Sequence, residues 1–214
     1  MHQELVKAQS GKLLSKELGI THVSSGEIFR SYVKKQGELG KLIESYISKG
    51  ELVPDEVAIK ILEKRLTEKD VEKGVILDGY PRNEFQAEKL DELLTKQGKK
   101  VDIAANLSLS DKDIIDRIVK RRTCPNPDCR EIYNTEFKPP KQEGICDKCG
   151  SKLIIRDDDK EETVRARLAN YHAISENLIE FYKNKDILYT LKVNIHSENT
   201  SVDIAEEIKR YLGK

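Results

Sequence analysis

Four cysteines within residues 124–149 are the feature that most constrains this chain. Cys124 and Cys129 are separated by four residues, Cys146 and Cys149 by two, and sixteen residues lie between the pairs. Such spacing brings four thiolates around one Zn²⁺ at about 2.3 Å and leaves no open position for water. The sequence therefore predicts a structural zinc site, the alternative being four cysteines without a metal. The sixteen intervening residues, which include Tyr133, suit a β-ribbon.

Four arginines and two aspartates bracket the cysteines. They are Arg117, Arg121, Arg156, Arg167, Asp158 and Asp159. Because Arg117 and Arg121 lie four residues apart, we predict them on one face of a single helix. A guanidinium pairs bidentately with phosphate and keeps its charge, so the set suits a crevice that holds a polyphosphate. The alternative is that these arginines lie on solvated helix surfaces.

The rest of the chain alternates helices with short apolar strands. Helices are predicted over residues 3–18, 24–33, 39–48, 54–68, 85–94, 111–122, 161–183 and 201–212. Strands are predicted over residues 20–23, 74–78, 103–109 and 187–193. This alternation predicts an α/β fold, with a parallel sheet and helices on both of its faces.

Two strand ends carry polar residues that suit a ligand crevice. Ser24-Ser25-Gly26-Glu27 supplies a helix N-cap one turn before Arg30, which outlines an anion site, although an ordinary capped helix has the same pattern. Asp78-Gly79-Tyr80-Pro81-Arg82 follows the strand over residues 74–78. An acid and an arginine at the carboxyl end of a strand point into the crevice where α/β proteins bind ligands. The alternative is a plain strand-to-helix turn.

Composition narrows the cellular context. The 38 basic and 38 acidic residues cancel, so no overall field draws the protein to nucleic acid or to an anionic membrane. The sequence contains neither an apolar run of about 18 residues nor a signal peptide. We therefore expect a soluble cytoplasmic protein, in which paired cysteines are metal ligands rather than disulfides.

Together these motifs resemble adenylate kinase of the long, zinc-lid type over essentially the whole chain. The residues that carry the resemblance are Ser24 to Glu27 with Arg30, Glu51-Leu52-Val53-Pro54-Asp55, Asp78 to Arg82 with Gln86, Arg117 to Arg122, the four cysteines, and Arg156 to Asp159 with Glu161 to Arg165. The resemblance implies a P-loop nucleoside monophosphate kinase-like core over residues 1–122 and 159–214. Within it, residues 24–53 would bind the monophosphate, and residues 123–158 would form an inserted zinc-ribbon lid.

The resemblance also implies the reaction and the residues that perform it. A phosphoryl group would pass reversibly from ATP, with Mg²⁺, to AMP, giving two ADP in a monomeric enzyme. Implied AMP-binding residues are Ser25, Arg30, Glu51, Leu52, Val53, Gly79, Arg82, Gln86, Arg156 and Arg167. Implied ATP-binding residues are Arg117, Arg121, Ile132 and Tyr133. Asp78 would act on Mg²⁺ through water, the catalytic set being Arg82, Arg117, Arg121, Arg156, Arg167 and Asp78, while Asp158 and Asp159 would engage the closed lid.

The N-terminal region departs from the family pattern. The family opens with a buried central strand and a G-x-x-x-x-G-K-[ST] loop that cradles phosphate. Here no glycine precedes Lys7, and Gly11-Lys12 runs into Leu13-Leu14, which is typical of a helix. We therefore assign neither the loop nor the first strand, and expect a truncated kinase with impaired turnover. Ser25 in place of Thr and Tyr80 in place of Phe are mild changes.

Other functions remain open at this level. The chain fits a non-catalytic AMP-binding protein that has lost ATP handling, and it fits a kinase for another nucleoside monophosphate, such as a uridylate kinase. A zinc-ribbon module for nucleic acid is a weaker alternative, because the basic residues bring no net positive charge.

Overall fold

Helices and strands alternate along the chain as the sequence predicts. The computed structural model describes residues 2–193 and 200–213, with side chains from residue 9 onward. The elements are α1 His2–Leu18, β1 Thr21–Ser24, α2 Ser25–Lys34, α3 Glu38–Ile47, α4 Asp55–Arg65, β2 Val75–Asp78, α5 Glu84–Lys96, β3 Ala104–Ser108, α6 Asp111–Val119, β4 Arg121–Thr123, β5 Ile132–Asn134, α7 Glu161–Asn184, β6 Leu188–Lys192 and α8 Thr200–Tyr211. None of the described helices is both long and apolar enough to cross a membrane.

Short polar side chains fix where several helices begin. The Ser24 hydroxyl accepts a hydrogen bond from the Glu27 amide (3.5 Å), and the Ser110 hydroxyl accepts one from the amide of Asp113 (3.2 Å). The carboxamide oxygen of Asn83 caps α5 in the same way. Each bond satisfies an amide that has no partner inside the helix. These caps set the direction in which each helix leaves the preceding strand or turn.

The four core strands form two parallel pairs. β1 pairs with β2, with Thr21 opposite Val75, and β3 pairs with β6, with Ala104 opposite Leu188. The predicted parallel direction is therefore confirmed. Among the described residues, β2 and β3 do not pair with each other, so the pairs do not merge into one sheet. The absence of a central first strand stays a prediction.

Helices cover both faces of these strands. Leu77 of β2 packs against an apolar cluster that includes Leu62 of α4 and Leu90 of α5. Its neighbour Ile76 packs against a second cluster that contains Leu14 of α1 and residues of α8. Because successive residues of a strand point to opposite faces, the two clusters lie on opposite sides of β2. The predicted arrangement of helices on both faces is thus confirmed.

Two predicted helices end three residues earlier than the sequence suggests. The helix predicted over 111–122 ends at Val119, and Arg121 begins β4, where it lies opposite Asn134 of β5. The prediction that Arg117 and Arg121 share a helical face is therefore wrong, because pairing with β5 outweighs continuation of the helix. The helix predicted over 54–68 ends at Arg65, after which the Thr67 hydroxyl donates to the carbonyl of Lys64 (2.8 Å) and competes with helical bonding.

Candidate functional site

The four cysteines converge as their spacing predicts. Their sulfur atoms all lie within 4.8 Å of one another, with Cys124 Sγ 3.3 Å from Cys149 Sγ and Cys129 Sγ 3.7 Å from Cys146 Sγ. None forms a disulfide. Four sulfurs at tetrahedral corners around zinc are separated by about 3.8 Å. The donor set and its spacing therefore fit Zn²⁺.

Hydrogen bonds and burial shift the pKa values of the cysteine thiols in this cluster. The hydroxyl and amide of Ser151 lower the pKa of Cys149 to about 6, because both stabilise the thiolate. Burial raises the pKa of Cys124 to about 12. A bound metal removes the proton from such a thiol. The cluster could therefore hold a metal with every sulfur deprotonated.

The ribbon around the cysteines has its own packing. We call residues 123–158 the cysteine segment. The Tyr133 ring is buried in it beside Cys146, and the Tyr133 hydroxyl accepts a hydrogen bond from the Asp147 amide (2.8 Å). Phe137 is exposed, and the Arg117 guanidinium lies 4.7 Å from its ring centroid. Ile132 of β5 is half-buried. Contacts of Tyr133 and Ile132 with ATP stay a prediction.

A cavity of about 1110 Å³ opens beside the carboxyl ends of β1 and β2. The predicted site residues that line it are Ser25, Arg30, Glu51, Leu52, Val53, Asp78, Gly79, Arg82, Gln86, Asp158 and Arg167. The predicted residues outside this lining are Arg117, Arg121, Ile132, Tyr133, Arg156 and Asp159. The fold therefore gathers most residues predicted for AMP in one place, although Ser25 and Arg167 are 142 positions apart.

Gly79 shapes one wall of this cavity. It has φ +78, and a Cβ there would lie 2.7 Å from Ser25 Oγ and 2.9 Å from a guanidinium nitrogen of Arg82. The Gly79 carbonyl accepts from the Ser25 hydroxyl (2.8 Å) and from Arg82 Nε (2.6 Å). Only glycine combines this backbone conformation with such close neighbours.

Gln86, which also lines the cavity, holds the Arg82 turn in place through its side chain. Its side-chain oxygen accepts from the Arg82 amide (2.8 Å), and its Nε2 donates to Asp55 Oδ1 (2.7 Å). Asn83 Nδ2 also donates to Asp55 (3.0 Å). Asp55 thus ties α4 to the Arg82 turn. No sequence motif indicated this role for Asp55, because nothing local links positions so far apart.

The Asp158 carboxylate lies between two arginines. Asp158 Oδ2 is 3.7 Å from Arg30 Nη1 and 3.4 Å from Arg167 Nη1. Here a carboxylate oxygen occupies a position that a phosphate oxygen could take, since guanidinium groups bind both. Asp158 thereby joins the end of the cysteine segment to α2 and α7.

A buried ion pair lies beneath this contact. The guanidinium of Arg121 donates through Nε to Asp159 Oδ2 (2.9 Å) and through Nη2 to Asp159 Oδ1. Both side chains are almost wholly buried. Burial, together with the charges of Arg121 and Arg30, lowers the pKa of Arg156 to about 10. Positive charge is therefore concentrated where the cysteine segment meets the core, which favours the approach of an anion.

Asp78 has a neighbour that the sequence did not indicate. Its carboxylate is buried at the end of β2, and its Oδ2 lies 3.5 Å from His22 Nε2. A Cβ on Gly11 of α1 would lie 2.6 Å from the His22 ring. The absence of a side chain at position 11 thus allows α1 to lie close to the His22 ring. Lys7 lies among the residues whose side chains are not described.

A second unforeseen contact joins the cysteine segment to α2. Arg130 Nη1 lies 3.2 Å from Glu27 Oε2, although 103 positions separate the two residues. Arg130 has φ +50, and its Nε donates to the Pro127 carbonyl (2.8 Å), which orients the guanidinium. Lys12 lies 3.8 Å from the other oxygen of Glu27. No pattern in the sequence could have paired these residues.

Comparisons with known proteins agree on one family. The family model described as adenylate kinase matches residues 7–187. An adenylate kinase of Streptomyces avermitilis is 42% identical over 204 residues, covering 95% of this chain and 92% of the relative. One from Caldicellulosiruptor saccharolyticus is 43% identical, covering 97% and 94%. One from Archaeoglobus fulgidus is 48% identical, covering 86% and 83%.

These matches and the arginine-lined crevice place the chain among the nucleoside monophosphate kinases, a class of phosphotransferases. Within that class, the chain belongs to the adenylate kinase family. The resemblance noted from the sequence motifs is therefore confirmed at the level of the family.

Proposed function

We propose that this chain binds ATP and AMP and transfers a phosphoryl group reversibly between them, giving two ADP. The observation that carries the proposal is the Asp158 carboxylate held between Arg30 and Arg167 in the crevice. Two guanidinium groups that converge on one oxygen suit a phosphate that carries more charge than a carboxylate. The chain belongs to the adenylate kinase family, and phosphoryl transfer between adenine nucleotides fits such a site.

The site residues predicted from the sequence divide into two proposed groups. Arg30, Arg82 and Arg167 would bind the phosphate of AMP, with Ser25, the segment Glu51 to Val53, Gly79 and Gln86 around the nucleoside. Arg117 and Arg121 would face the ATP phosphates, with Ile132 and Tyr133 toward the adenosine, and Arg156 would join Arg167 in bridging the two phosphate chains. Phosphoryl transfer needs positioning and charge stabilisation more than a general base. Asp78 would hold, through water, the Mg²⁺ that accompanies ATP, and this ion would supply positive charge to the phosphates.

We assign the cysteine segment the role of a zinc-stapled lid over a core formed by residues 1–122 and 159–214. Zinc would be structural, since four thiolates saturate it. Closure over the crevice would exclude water from the transferred group. The contacts of Asp158 with Arg30 and of Arg130 with Glu27 support this role, because both join the segment to α2.

We further propose that this chain catalyses the phosphoryl transfer slowly. A phosphate cradle of the P-loop kind needs successive amides aimed at one anion, often through positive φ. Residues 2–18 form one helix, and the described positive-φ positions begin only at Gly19. The same observation favours the second candidate function, an AMP-binding protein without turnover.

A coupled assay and calorimetry distinguish these functions. With ATP, AMP and Mg²⁺, we expect turnover well below that of the Archaeoglobus fulgidus relative measured alongside. Turnover equal to that of the relative would contradict the proposed impairment. AMP binding without ATP binding or turnover would support the second candidate. Failure to bind either nucleotide would reject both. Calorimetric titration with AMP, UMP, CMP and GMP in turn tests the preference for adenine.

A matched pair of arginines tests the crevice itself. Arg167→Ala removes a guanidinium that lines the cavity, whereas Arg165→Ala removes an exposed one that pairs with Glu161 on the same helix. We expect Arg167→Ala to weaken AMP binding by about 10- to 100-fold, the worth of a charged hydrogen bond, and Arg165→Ala to leave it unchanged. Equal effects would contradict the assigned AMP site.

A further inference from the structure

The Gln86 carboxamide lies in the wall of the cavity with a different partner at each of its two ends. Its oxygen accepts from the Arg82 amide (2.8 Å), and its Nε2 donates to Asp55 Oδ1 (2.7 Å). Only 1% of Gln86 is exposed. Since a buried polar group needs its partners, both bonds bear on how this side chain meets a ligand in the cavity.

These two partners allow one orientation of the carboxamide. A backbone N–H only donates, and a carboxylate only accepts. A half-turn of the carboxamide would place its oxygen against Asp55 and its nitrogen against the Arg82 amide, so that like groups would meet at both ends. Asn83 Nδ2 also donates to both carboxylate oxygens of Asp55 (3.0 and 3.1 Å), which holds that carboxylate in place. The chemistry of the partners therefore fixes which end of Gln86 is nitrogen.

The Gln86 side chain keeps one donor and one acceptor position for a ligand. A carboxamide has two N–H donors and two oxygen lone pairs, and among the described residues this side chain makes only the two bonds above. Adenine presents its N6 amino donor beside a ring-nitrogen acceptor, a pair that glutamine binds bidentately. A 6-oxo purine has the acceptor O6 in place of N6. In the same position, O6 would face the lone pairs of Gln86 Oε1, so the fixed orientation favours a 6-amino purine.

We propose that Asp55 is a positioning residue, which sets the preference of the AMP site for a 6-amino over a 6-oxo purine by fixing the orientation of the Gln86 carboxamide. Asp55 lies in the first turn of α4 and outside the lining of the cavity, so it acts through Gln86. A hydrogen bond to a charged acceptor is about twice as strong as a neutral one. Asp55 therefore contributes more to this orientation than the Arg82 amide does. The inference rests on the proposed function, in which Gln86 lies beside the nucleoside of AMP.

AMP and IMP are a matched pair of ligands, because they have the same size and differ only in the 6-amino or 6-oxo group and the adjoining N1 proton. Calorimetry without ATP gives both dissociation constants, and we expect the parent to bind AMP about 10- to 100-fold more tightly than IMP. Asp55→Asn keeps the shape of the side chain but adds a donor, and Asp55→Ala removes the acceptor. Each should lower the ratio of the two constants by about fivefold or more, the worth of a charged hydrogen bond.

The control substitution is Glu56→Gln, which removes a negative charge from an exposed neighbour in the same helical turn. It should leave the ratio within about twofold of the parent, as expected for a surface substitution. A double-mutant cycle then tests the route of the effect. In a Gln86→Ala background, Asp55→Asn should leave the ratio unchanged, because the carboxamide through which it acts is gone. A merely structural role would weaken both nucleotides alike in either background.

Nuclear magnetic resonance checks the orientation in the parent, without nucleotide or substitution. We expect a scalar coupling across the hydrogen bond between Gln86 Nε2 and the carboxylate carbon of Asp55, and its absence would overturn the inference even if Asp55→Ala did not fold. An unchanged ratio in the Asp55 variants would also overturn it, as would equal affinity of the parent for AMP and IMP. Both results would leave the proposed AMP binding intact. Failure of the parent to bind either nucleotide would overturn the proposed function together with this inference.

Discussion

The cysteine segment and the core that contains β1, β2, β3 and β6 meet at one crevice, but different contacts stabilise them. In the cysteine segment, the sulfurs converge and Tyr133, Asn134 and Asp147 bond to neighbours within the ribbon or at its base. In the core, the strands that the structure describes pair two by two around a cavity of about 1110 Å³. The difference shows that local spacing can complete a small ribbon, whereas a sheet depends on partners that lie far apart in the chain.

The largest expected effect comes from a substitution that should disorder the cysteine segment and leave the core strands intact. Cys146→Ser removes a buried cysteine of the proposed zinc site, and metal binding supplies about 10–16 kcal/mol of folding free energy in structural zinc peptides. We expect the bound zinc, measured by mass spectrometry, to fall from about one equivalent, and residues 121–154 to lose protection from hydrogen exchange. Protection of β1, β2, β3 and β6 should persist.

The exposed substitution Glu143→Gln in the same segment is the control for zinc content. If Cys146→Ser kept a full equivalent of zinc, or if the core strands lost protection with the ribbon, the two regions would not be independent.

An intermediate effect is expected where the regions join. Asp159→Asn leaves the buried Arg121 guanidinium without its counter-charge. Breaking a buried ion pair costs about 3–5 kcal/mol. Urea denaturation should show that loss, and Asp157→Asn, which alters an exposed carboxylate in the same turn, should stay within about 0.5 kcal/mol of the parent. A cost equal to that of the control would show that the pair does not stabilise the base of the cysteine segment.

The smallest effect concerns the surface contact between the regions. Arg130 and Glu27 are 54% and 35% exposed, and such pairs contribute about 0.2–1 kcal/mol. A double-mutant cycle of Glu27→Gln and Arg130→Gln should give a coupling free energy in that range at low salt. The coupling should vanish at about 1 M NaCl, where screening acts over about 3 Å. A coupling that persists in high salt would require a contact other than this ion pair.

Much of the site could be predicted because its residues lie in short motifs. The turn from Asp78 to Arg82, the Ser24 cap and the cysteine pairs each place several polar groups within a few positions, and local geometry then decides their arrangement. The contacts of Asp55 with Gln86, of His22 with Asp78, and of Glu27 with Arg130 could not be predicted, because they join positions 31, 56 and 103 apart.

The sequence by itself determined the family, the alternation of helices and strands, and the convergence of the cysteines, because propensity, capping and ligand spacing act over short distances. Only the tertiary structure decided that Arg121 belongs to a strand and faces Asp159, because ribbon pairing and a buried charge outweigh the local tendency of residues 120–122 to continue α6. The tertiary structure also decided that, among the described residues, β2 and β3 do not pair and that both line a cavity. The pairing of strands is settled by packing between distant segments, which no local pattern encodes.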